Sequence, residues 1–435
     1  MTALTIAAVA TPPGISGVAV IRISGPEAAE VLRRLMGRLP PPRAATLTTL
    51  RDPATGSPLD QGLVLWFPAP ASFTGEDCAE LQIHGGRAVV AAVLGAVVGL
   101  AGVRPAEPGE FTRRAFENGK LDLAAIEGLG DLLHAETEAQ RRQAYALYQG
   151  CLTDETDRLA QQLLPVLALV EATIDFPDEG DVTDAALMQA RSQALAVRDR
   201  IAGLLADAGR AERMRDGVVV AIAGPPNAGK STLLNAMARR DVAIVSPIAG
   251  TTRDALEVQL DLGGLPVVLV DTAGIRETQD PVEAEGVRRA RRRVSEADLV
   301  LWLAPTIESA AERPDGSWLV QSQADRVVEQ LNEARHRISA ATGSGLAALL
   351  ADVQAFASSL LGGEPAVVVH ERHRRIMAEA LASMEAALGD TDWSASAELV
   401  AEDLRAALAA LGRSRGRVGT EAMLDQLFLA FCIGK

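Results

Sequence analysis

The sequence predicts a multidomain protein, with an α+β domain at the N-terminus and an α/β domain inserted into an all-helical one. Residues 1–118 are rich in proline and glycine and contain short β-like runs. Apolar periodicity near 3.6 residues starts at Leu121, stops at Gly217 and returns after Pro365. Between the two helical stretches, apolar runs alternate with helical patterns, which is typical of a doubly wound α/β domain.

The predicted domain boundaries follow from these changes of period. We expect segments at 1–118, 119–215, 216–365 and 366–435. The second and fourth segments would form one helical domain, because an insertion is tolerated where the ends of the host domain lie close together.

Short runs supply the predicted elements of each segment. In the first segment we expect strands at 18–23, 63–67 and 79–83 and a helix at 87–100. In the helical segments we expect helices within 121–172 and at 183–214, 367–388, 396–411 and 420–431. In the inserted segment we expect strands at 218–223, 267–270, 299–303, 318–320 and 337–339.

Composition limits the functional classes. The chain has 435 residues, 48% of them hydrophobic, and no apolar run reaches the roughly 18 residues that span a bilayer. Its start lacks the features of a secretion signal. The cysteines Cys78, Cys151 and Cys432 fit no metal spacing and indicate a reducing compartment, so we expect a cytoplasmic protein with no membrane partner. A formal net charge of −15 excludes an overall basic surface, although a local arginine patch can still bind RNA.

The run Gly224-Pro225-Pro226-Asn227-Ala228-Gly229-Lys230-Ser231 predicts a phosphate-binding loop. It follows a predicted strand and precedes a helical pattern at 232–238, which is the context that this motif requires. Its glycines let backbone N–H groups converge on phosphates at a helix N-terminus. Lys230 would reach the β- and γ-phosphates, and the Ser231 hydroxyl would bind Mg²⁺.

Two further stretches distinguish a GTPase from a general P-loop ATPase. Asp271-Thr272-Ala273-Gly274 ends a predicted strand, where an aspartate can hold Mg²⁺ through water and a glycine N–H can sense the γ-phosphate. Thr251 and Thr252 lie between the phosphate-binding loop and Asp271, where a switch threonine, Thr252, would complete the Mg²⁺ coordination.

The base-reading elements are weaker. A GTPase normally carries Asn-Lys-x-Asp after its fifth strand, and here the corresponding run is Ser322-Gln323-Ala324-Asp325. Asp325 survives, and Ser339-Ala340-Ala341 matches the loop that shields the guanine oxygen. We therefore expect guanine rather than adenine, with weakened affinity left open.

Lysine usage singles out three positions. Of 42 basic residues only Lys120, Lys230 and Lys435 are lysines. Arginine can replace lysine on most surfaces but not where a compact ammonium is needed, so the three survivors are candidate functional residues.

Further stretches carry a resemblance to a known family: Thr11-Pro12-Pro13-Gly14, Arg22-Ile23-Ser24-Gly25, Phe73-Thr74-Gly75-Glu76-Asp77, His84-Gly85-Gly86, Pro108-Gly109-Glu110-Phe111-Thr112 and Phe431-Cys432-Ile433-Gly434-Lys435. With them, the sequence resembles the MnmE (TrmE) family of tRNA-modifying GTPases over essentially its whole length.

The resemblance implies a Ras-like G domain, a helical domain, and an N-terminal domain that binds folate and forms a homodimer. It implies a heterotetramer with the flavoprotein MnmG, which installs an aminomethyl or carboxymethylaminomethyl group at C5 of the wobble uridine of tRNA. By motif match, a 5-formyl-tetrahydrofolate-type cofactor would contact Arg22, Glu80, Lys120 and Lys435.

The resemblance also assigns the nucleotide and metal ligands. Glu283 would orient the attacking water, and Lys230 would act on the phosphates. The implied GTP contacts are Asn227, Ala228, Gly229, Lys230, Ser231, Thr232, Ser246, Thr252, Asp271, Thr272, Ala273, Gly274, Asp325, Ser339 and Ala340. The implied Mg²⁺ ligands are Ser231 and Thr252, and the implied K⁺ ligands are Asn227, Ser246, Thr251 and the backbone carbonyl of Ile248.

Two alternatives stay open at this point. Cys432 is either a nucleophile or acid in the C5 chemistry, or a buried structural thiol. The chain is either a tRNA-modifying enzyme driven by GTP hydrolysis, or a regulatory GTPase of the ribosome-assembly type. Residues 1–118 favour the enzyme, because an assembly GTPase has no use for a folate site.

Overall fold

The computed structural model describes residues 4–175, 184–240, 242–244, 257–271, 297–327, 329–389, 392–415 and 434. The chain divides into two compact units, Met1–Gly130 with Arg415–Lys435 and Asp131–Ser414. Among the described residues, no helix is both long and apolar enough to cross a membrane.

The first unit is built on a six-stranded sheet. Its elements are β1 Thr5–Val9, β2 Ser16–Ser24, α1 Ala28–Met36, β3 Thr46–Arg51, β4 Pro58–Phe67, β5 Cys78–Gly85, α2 Arg87–Val98, β6 Val103–Pro105 and α3 Glu110–Glu117. The strand order is β3-β4-β5-β2-β1-β6, and only the β1–β6 pair is parallel. Alternate strand residues such as Ile21, Ile23 and Leu81 are fully buried against apolar residues of α1 and α2, including Leu32 and Val93.

Long amphipathic helices form the helical part. They are α4 Leu123–His134, α5 Glu138–Tyr148, α6 Cys151–Asp175, α7 Asp184–Asp216, α11 Glu371–Gly389 and α12 Ala397–Gly412, followed by a short 3₁₀ turn at Arg413–Arg415. Helix α6 packs against α7 and α12, and α11 packs against α7 and α12. Buried residues recur along α6 at helical spacing, as at Leu159, Leu163, Val166 and Val170.

The α/β part lies between α7 and α11. Its elements are β7 Val218–Ala223, α8 Lys230–Ala238, β8 Glu257–Leu262, β9 Leu265–Asp271, β10 Leu299–Ala304, α9 Ile307–Ala311, β11 Trp318–Gln321, β12 His336–Arg337 and α10 Leu346–Leu361. The strand order is β12-β11-β10-β7-β9-β8. All neighbouring strands are parallel except β8 and β9, which form an antiparallel hairpin.

Helix α5 fastens the α/β part to the helical part at three places. The side-chain amide of Gln140 donates to the Arg215 carbonyl over 2.8 Å, where α7 leads into β7. Gln143 exchanges two hydrogen bonds with the backbone of Ala366 on the return connection, over 2.6 and 2.7 Å. The N–H of Ala139, in the first turn of α5, donates to the Gly264 carbonyl at the turn of the β8–β9 hairpin over 3.0 Å.

The predicted fold class is confirmed: the chain combines an α+β N-terminal part, a helical part and an inserted P-loop α/β part. Strand β7 has the predicted bounds, and the last strand is shorter than predicted, at His336–Arg337. Strand β8, which pairs antiparallel with β9, is an element that was not among the predicted strands. The helix expected at 420–431 lies outside the described residues. The predicted domain boundaries remain predictions.

Candidate functional site

The phosphate-binding loop leaves the carboxyl end of β7 with a conformation that needs glycine at two points. Gly224 has φ +143°, and a Cβ there would collide with the Leu303 carbonyl on the neighbouring strand β10. Gly229 has φ +94° and precedes the first residue of α8. The loop therefore ends with backbone N–H groups at a helix N-terminus, which is the arrangement that binds phosphate.

Lys230 and Ser231 open α8 and lie at the inner wall of this loop. Lys230 is 7% exposed, and its Nζ donates to the carbonyls of Gly224 and Pro225 over 2.8 and 2.9 Å. Ser231 Oγ donates to Oδ2 of Asp271 over 2.7 Å. The register of the sheet explains the second contact, because Asp271 is the last residue of β9 and pairs with Ile222 of β7.

The pair Ser231–Asp271 fits a magnesium ion. A hydroxyl and a carboxylate oxygen at 2.7 Å are hard oxygen donors, the type that Mg²⁺ prefers. Asp271 is only 2% exposed, so its charge lies inside the loop rather than in solvent.

The end of the site where the sequence predicts base recognition consists of two adjacent loops. The N–H of Ala324 donates to the Ile338 carbonyl over 3.0 Å, which holds the two loops together. The Ser339 hydroxyl beside the Asp325 carboxylate lowers the pKa of Asp325 below its usual value. Asp325 is therefore a hydrogen-bonded anion at neutral pH, able to accept from N–H donors.

These loops enclose a cavity of about 730 Å³, within the range of small-molecule sites. The predicted nucleotide contacts that line it are Asn227, Ala228, Gly229, Lys230, Ser231, Thr232, Asp325 and Ala340. Asp271 and Ser339 lie directly behind this wall, each in contact with a lining residue. The structure therefore brings together all the predicted nucleotide contacts that it describes.

Other predicted residues lie outside the described part of the chain. They are Ser246, Ile248, Thr251, Thr252, Thr272, Ala273, Gly274, Glu283, Cys432 and Lys435. Their roles remain those that the resemblance assigns.

One residue of the cavity wall was not singled out from the sequence. Gln323 occupies the position where a lysine is usual, and its Nε2 donates to the carbonyl of Asn227 over 2.7 Å. The neighbouring Ser322 hydroxyl is buried and has no hydrogen-bond partner among the residues described. The sequence showed both only as departures from Asn-Lys-x-Asp.

Three predicted folate contacts, Arg22, Glu80 and Lys120, lie around one loop of the N-terminal unit and form a predicted folate cluster. Arg22 on β2 and Glu80 on β5 are paired in the sheet register and form an ion pair of 3.0 Å. The Arg22 guanidinium lies 5.2 Å from the ring centre of Phe73 and 5.9 Å from that of Phe111. A charged pair thus lies beside the half-buried ring of Phe73, a combination that suits a flat heterocycle with polar edges.

Lys120 contacts the loop that carries Phe73. A Cβ at Gly75 would lie 3.3 Å from Cε of Lys120, so the lysine stem packs on the loop that carries Phe73. Gly75 has φ +81°, which a residue with a side chain rarely adopts. Asn118 donates to the Thr74 carbonyl over 2.7 Å and holds the same loop.

A chain of largely buried ion pairs is connected to the loop that carries Phe73. Arg114 bonds to Glu76 over 3.0 Å and to Glu110 over 2.9 Å, and Glu110 also accepts from Arg104 over 2.6 Å. Burial alone would raise the pKa of Glu110, but the two arginines and the Glu107 N–H outweigh it and lower that pKa. Each buried charge is therefore paired, as a buried charge must be.

Comparison with known proteins gives two family models and many full-length relatives. The model of the GTP-binding protein TrmE N-terminus matches residues 5–120, and the model of the MnmE helical domain matches residues 123–432. A protein of Methylobacterium sp. named tRNA modification GTPase MnmE is 56% identical over 436 residues, covering 99% of each chain. A protein of the same name from Rhodopseudomonas palustris is 52% identical over 439 residues, again covering 99% of each.

The chain belongs to the MnmE family. The resemblance seen in the sequence motifs is confirmed by matches that cover both ends of the chain and its centre. The MnmE helical model spans the inserted α/β part as well, since it runs from residue 123 to residue 432.

Proposed function

We propose that this MnmE-family chain is a K⁺-activated GTPase that, with the flavoprotein MnmG, installs an aminomethyl or carboxymethylaminomethyl group at C5 of wobble uridine in tRNA. GTP hydrolysis drives a conformational cycle of the homodimer. The coarse function, a tRNA modification GTPase, rests on family membership. The observation that carries the hydrolytic part is the 2.7 Å contact between Ser231 and Asp271 at the wall of a nucleotide-sized cavity.

The chain's own residues prepare phosphoryl transfer by position and charge. Lys230 places a compact positive charge at the loop that cradles the phosphates. Ser231 and Thr252 would bind Mg²⁺ directly, and Asp271 would hold it through water. Glu283 orients the attacking water. Little covalent chemistry is required of the protein, so positioning and electrostatic stabilisation account for the rate.

A potassium site completes the charge balance. When bound, K⁺ supplies the positive charge that an arginine finger supplies in other GTPases. Asn227 lines the cavity next to the phosphate-binding glycines, and an amide oxygen suits a hard cation. The other proposed ligands are Ser246, Thr251 and the carbonyl of Ile248.

The folate cluster serves the modification itself. A 5-formyl-tetrahydrofolate-type cofactor supplies a one-carbon group when bound. Arg22 and Glu80 offer a donor and an acceptor beside the ring of Phe73. Lys120, and with it Lys435, offers an ammonium group for a carboxylate. Because the substrate is tRNA, we place the protein in the cytoplasm.

The potassium part is tested by GTP hydrolysis in KCl and in NaCl at equal ionic strength. We expect turnover to collapse in NaCl, because the smaller sodium ion leaves the Asn227 oxygen and the remaining ligands too far apart to bridge. Asn227→Ala should remove the potassium dependence and most of the rate while GDP still binds. Equal turnover of the wild type in both salts would overturn the potassium assignment.

The modification part is tested by titrating the full chain with 5-formyl-tetrahydrofolate and by a coupled tRNA assay with the flavoprotein. Binding of the folate that is lost in Arg22→Ala supports the proposal. A chain that hydrolyses GTP but neither binds folate nor supports modification would be a regulatory GTPase of the ribosome-assembly type.

A further inference from the structure

Two residues of the nucleotide cavity hold an unusual backbone conformation. Within the described part of the chain, only three residues other than glycine have positive φ, and two of them are Asn227 at 61° and Gln323 at 54°. Residues with a Cβ rarely adopt this left-handed region, and they persist there only when the surrounding structure compensates the strain. Such residues concentrate at functional sites.

A single hydrogen bond joins these two residues. Nε2 of Gln323 donates to the carbonyl oxygen of Asn227 over 2.7 Å, across a separation of 96 residues in sequence. The bond links the loop that reads the base to the loop that binds the phosphates. The two residues with positive φ are therefore hydrogen-bonded to each other.

Gln323 can act in this way because its own loop is anchored by the backbone. The N–H of Ser322 donates to the Ala304 carbonyl over 3.3 Å, and the N–H of Ala324 donates to the Ile338 carbonyl over 3.0 Å. The residues on both sides of Gln323 are thus held by backbone groups at the end of β10 and directly after β12. The backbone from which the Gln323 side chain extends to the phosphate-binding loop is therefore held in place.

We propose that Gln323 is a positioning residue for the cation ligand Asn227, and that it replaces the usual lysine by fixing the Asn227 peptide across the cavity. This inference rests on the potassium site of the proposed function. The carbonyl and the side chain of Asn227 branch from the same Cα, so a fixed carbonyl restricts the direction in which the amide oxygen can point. A ligand displaced by about 1 Å is costly at such a site.

The same bond places the base-reading loop and the cation ligand in one unit. Asp325 lies two residues beyond Gln323 in the loop and lines the same cavity. A base held by Asp325 therefore stabilises the loop from which Gln323 reaches Asn227. We expect nucleotide recognition and cation affinity to be coupled through this residue.

Gln323→Glu tests the proposal, because it keeps the size of the side chain and exchanges the donor for an acceptor that faces a carbonyl. We expect the half-activating K⁺ concentration to rise by about 2- to 10-fold, the range for loss of one hydrogen bond. The value of kcat at saturating K⁺ should stay near that of the wild type. Gln323→Lys restores a donor and should restore the wild-type K⁺ requirement.

A second variant separates positioning from structural support. Gln323→Gly removes the donor but relieves the left-handed strain, so the thermal midpoint should hold or rise while cation affinity falls. A purely structural glutamine would move stability and cation affinity in the same direction. Gln330→Glu, an exposed glutamine of the same loop outside the cavity wall, is the matched control and should leave both unchanged.

Cation binding is also measured without turnover. Tl⁺, an ion close to K⁺ in radius, is titrated into the complex with GDP and aluminium fluoride and followed by thallium NMR. Weaker Tl⁺ binding in both Gln323→Glu and Gln323→Gly supports the proposal. If the wild type needs K⁺ but neither variant changes the K⁺ or Tl⁺ affinity, the inference is overturned. A wild type without any K⁺ requirement would instead contradict the proposed function.

Discussion

Asp325 is the residue on which we expect base selection to depend in this chain. Its carboxylate is held by the Ser339 hydroxyl, which keeps its pKa low and its charge in place. It also lines the cavity, whereas the Asn and Lys that normally accompany it are replaced by Ser322 and Gln323. Of these three positions, Asp325 therefore supplies the charged acceptor, and the other two side chains are neutral.

We predict that Asp325→Asn transfers the preference from guanine to xanthine, whose donor and acceptor pattern is reversed at that edge. The affinity for GDP should fall by about 10- to 150-fold, the range for a hydrogen bond to a charged group. Equilibrium binding of GDP and xanthosine diphosphate measures the change. Asp315→Asn, at an exposed aspartate outside the cavity wall, should change neither affinity. A variant that still prefers GDP would show that the base is read elsewhere.

At the scale of single residues, the sequence predicts some contacts of the nucleotide site but not others. Lys230 and Ser231 follow from a motif whose spacing is itself the requirement of phosphate binding. The Gln323–Asn227 bond could not be predicted, because it depends on two left-handed φ angles and on the approach of two loops. Sequence alone shows glutamine at a lysine position and suggests only a loss.

The β8–β9 hairpin shows the corresponding limit at the scale of an element. Its turn is Gly263-Gly264, with φ of 67° and 86°, and a two-residue turn with two positive φ values is the one that favours a tight hairpin. Residues 257–262 also alternate between apolar and polar side chains. Both features indicate a hairpin, yet the predicted strands of the inserted segment do not include this edge strand.

We predict that Gly264→Ala lowers the stability of this part by about 1–2 kcal/mol, because a side chain must then adopt a left-handed φ. The new Cβ itself has room, with the nearest atom, Glu138 Cβ, 3.6 Å away. Gly203→Ala is the matched control: it lies inside α7 with no atom within 4 Å, and should stabilise by about 0.5–1 kcal/mol. Thermal unfolding should move the two midpoints in opposite directions. A loss of stability in both variants would contradict the explanation from backbone strain.

At the scale of the whole molecule, the chain returns at its end to the unit in which it began. Gly434 has φ +104°, and a Cβ there would collide with the Val9 carbonyl at the end of β1. Its covalent neighbour Lys435 is one of the three lysines, and Lys120 of the folate cluster belongs to the same unit. A frayed tail is the usual fate of a chain end, and Gly434 departs from it.

We predict that deletion of residues 433–435 abolishes tRNA modification in the coupled assay and weakens folate binding, yet leaves GTP hydrolysis nearly intact. Hydrolysis is the internal control, since the phosphate-binding loop lies in the other unit. Gly434→Ala should act in the same direction, because its Cβ forces the backbone away from Val9. If the truncated chain modifies tRNA at the wild-type rate, the end of the sequence plays no part in the folate site.

The overall plan was predictable from changes of apolar period, because long helices and a buried parallel strand repeat their patterns over many residues. The first unit was predictable only in part. Strands β1, β3 and β6 and helices α1 and α3 are three to nine residues long, and runs so short do not establish a period. Their pairing is set by contacts distant in sequence, such as the parallel pair β1–β6.

The hydrogen bond between Ala139 and Gly264 attaches helix α5 to the hairpin turn that precedes strand β9. It lies at one end of β9, and the Ser231–Asp271 contact lies at the other, about 20 Å away along one strand. Strand β9 is paired with β7 on one side and β8 on the other, so both hydrogen bonds are attached to one stiff element. The attachment of helix α5 and the position of Asp271 are therefore set by the same strand.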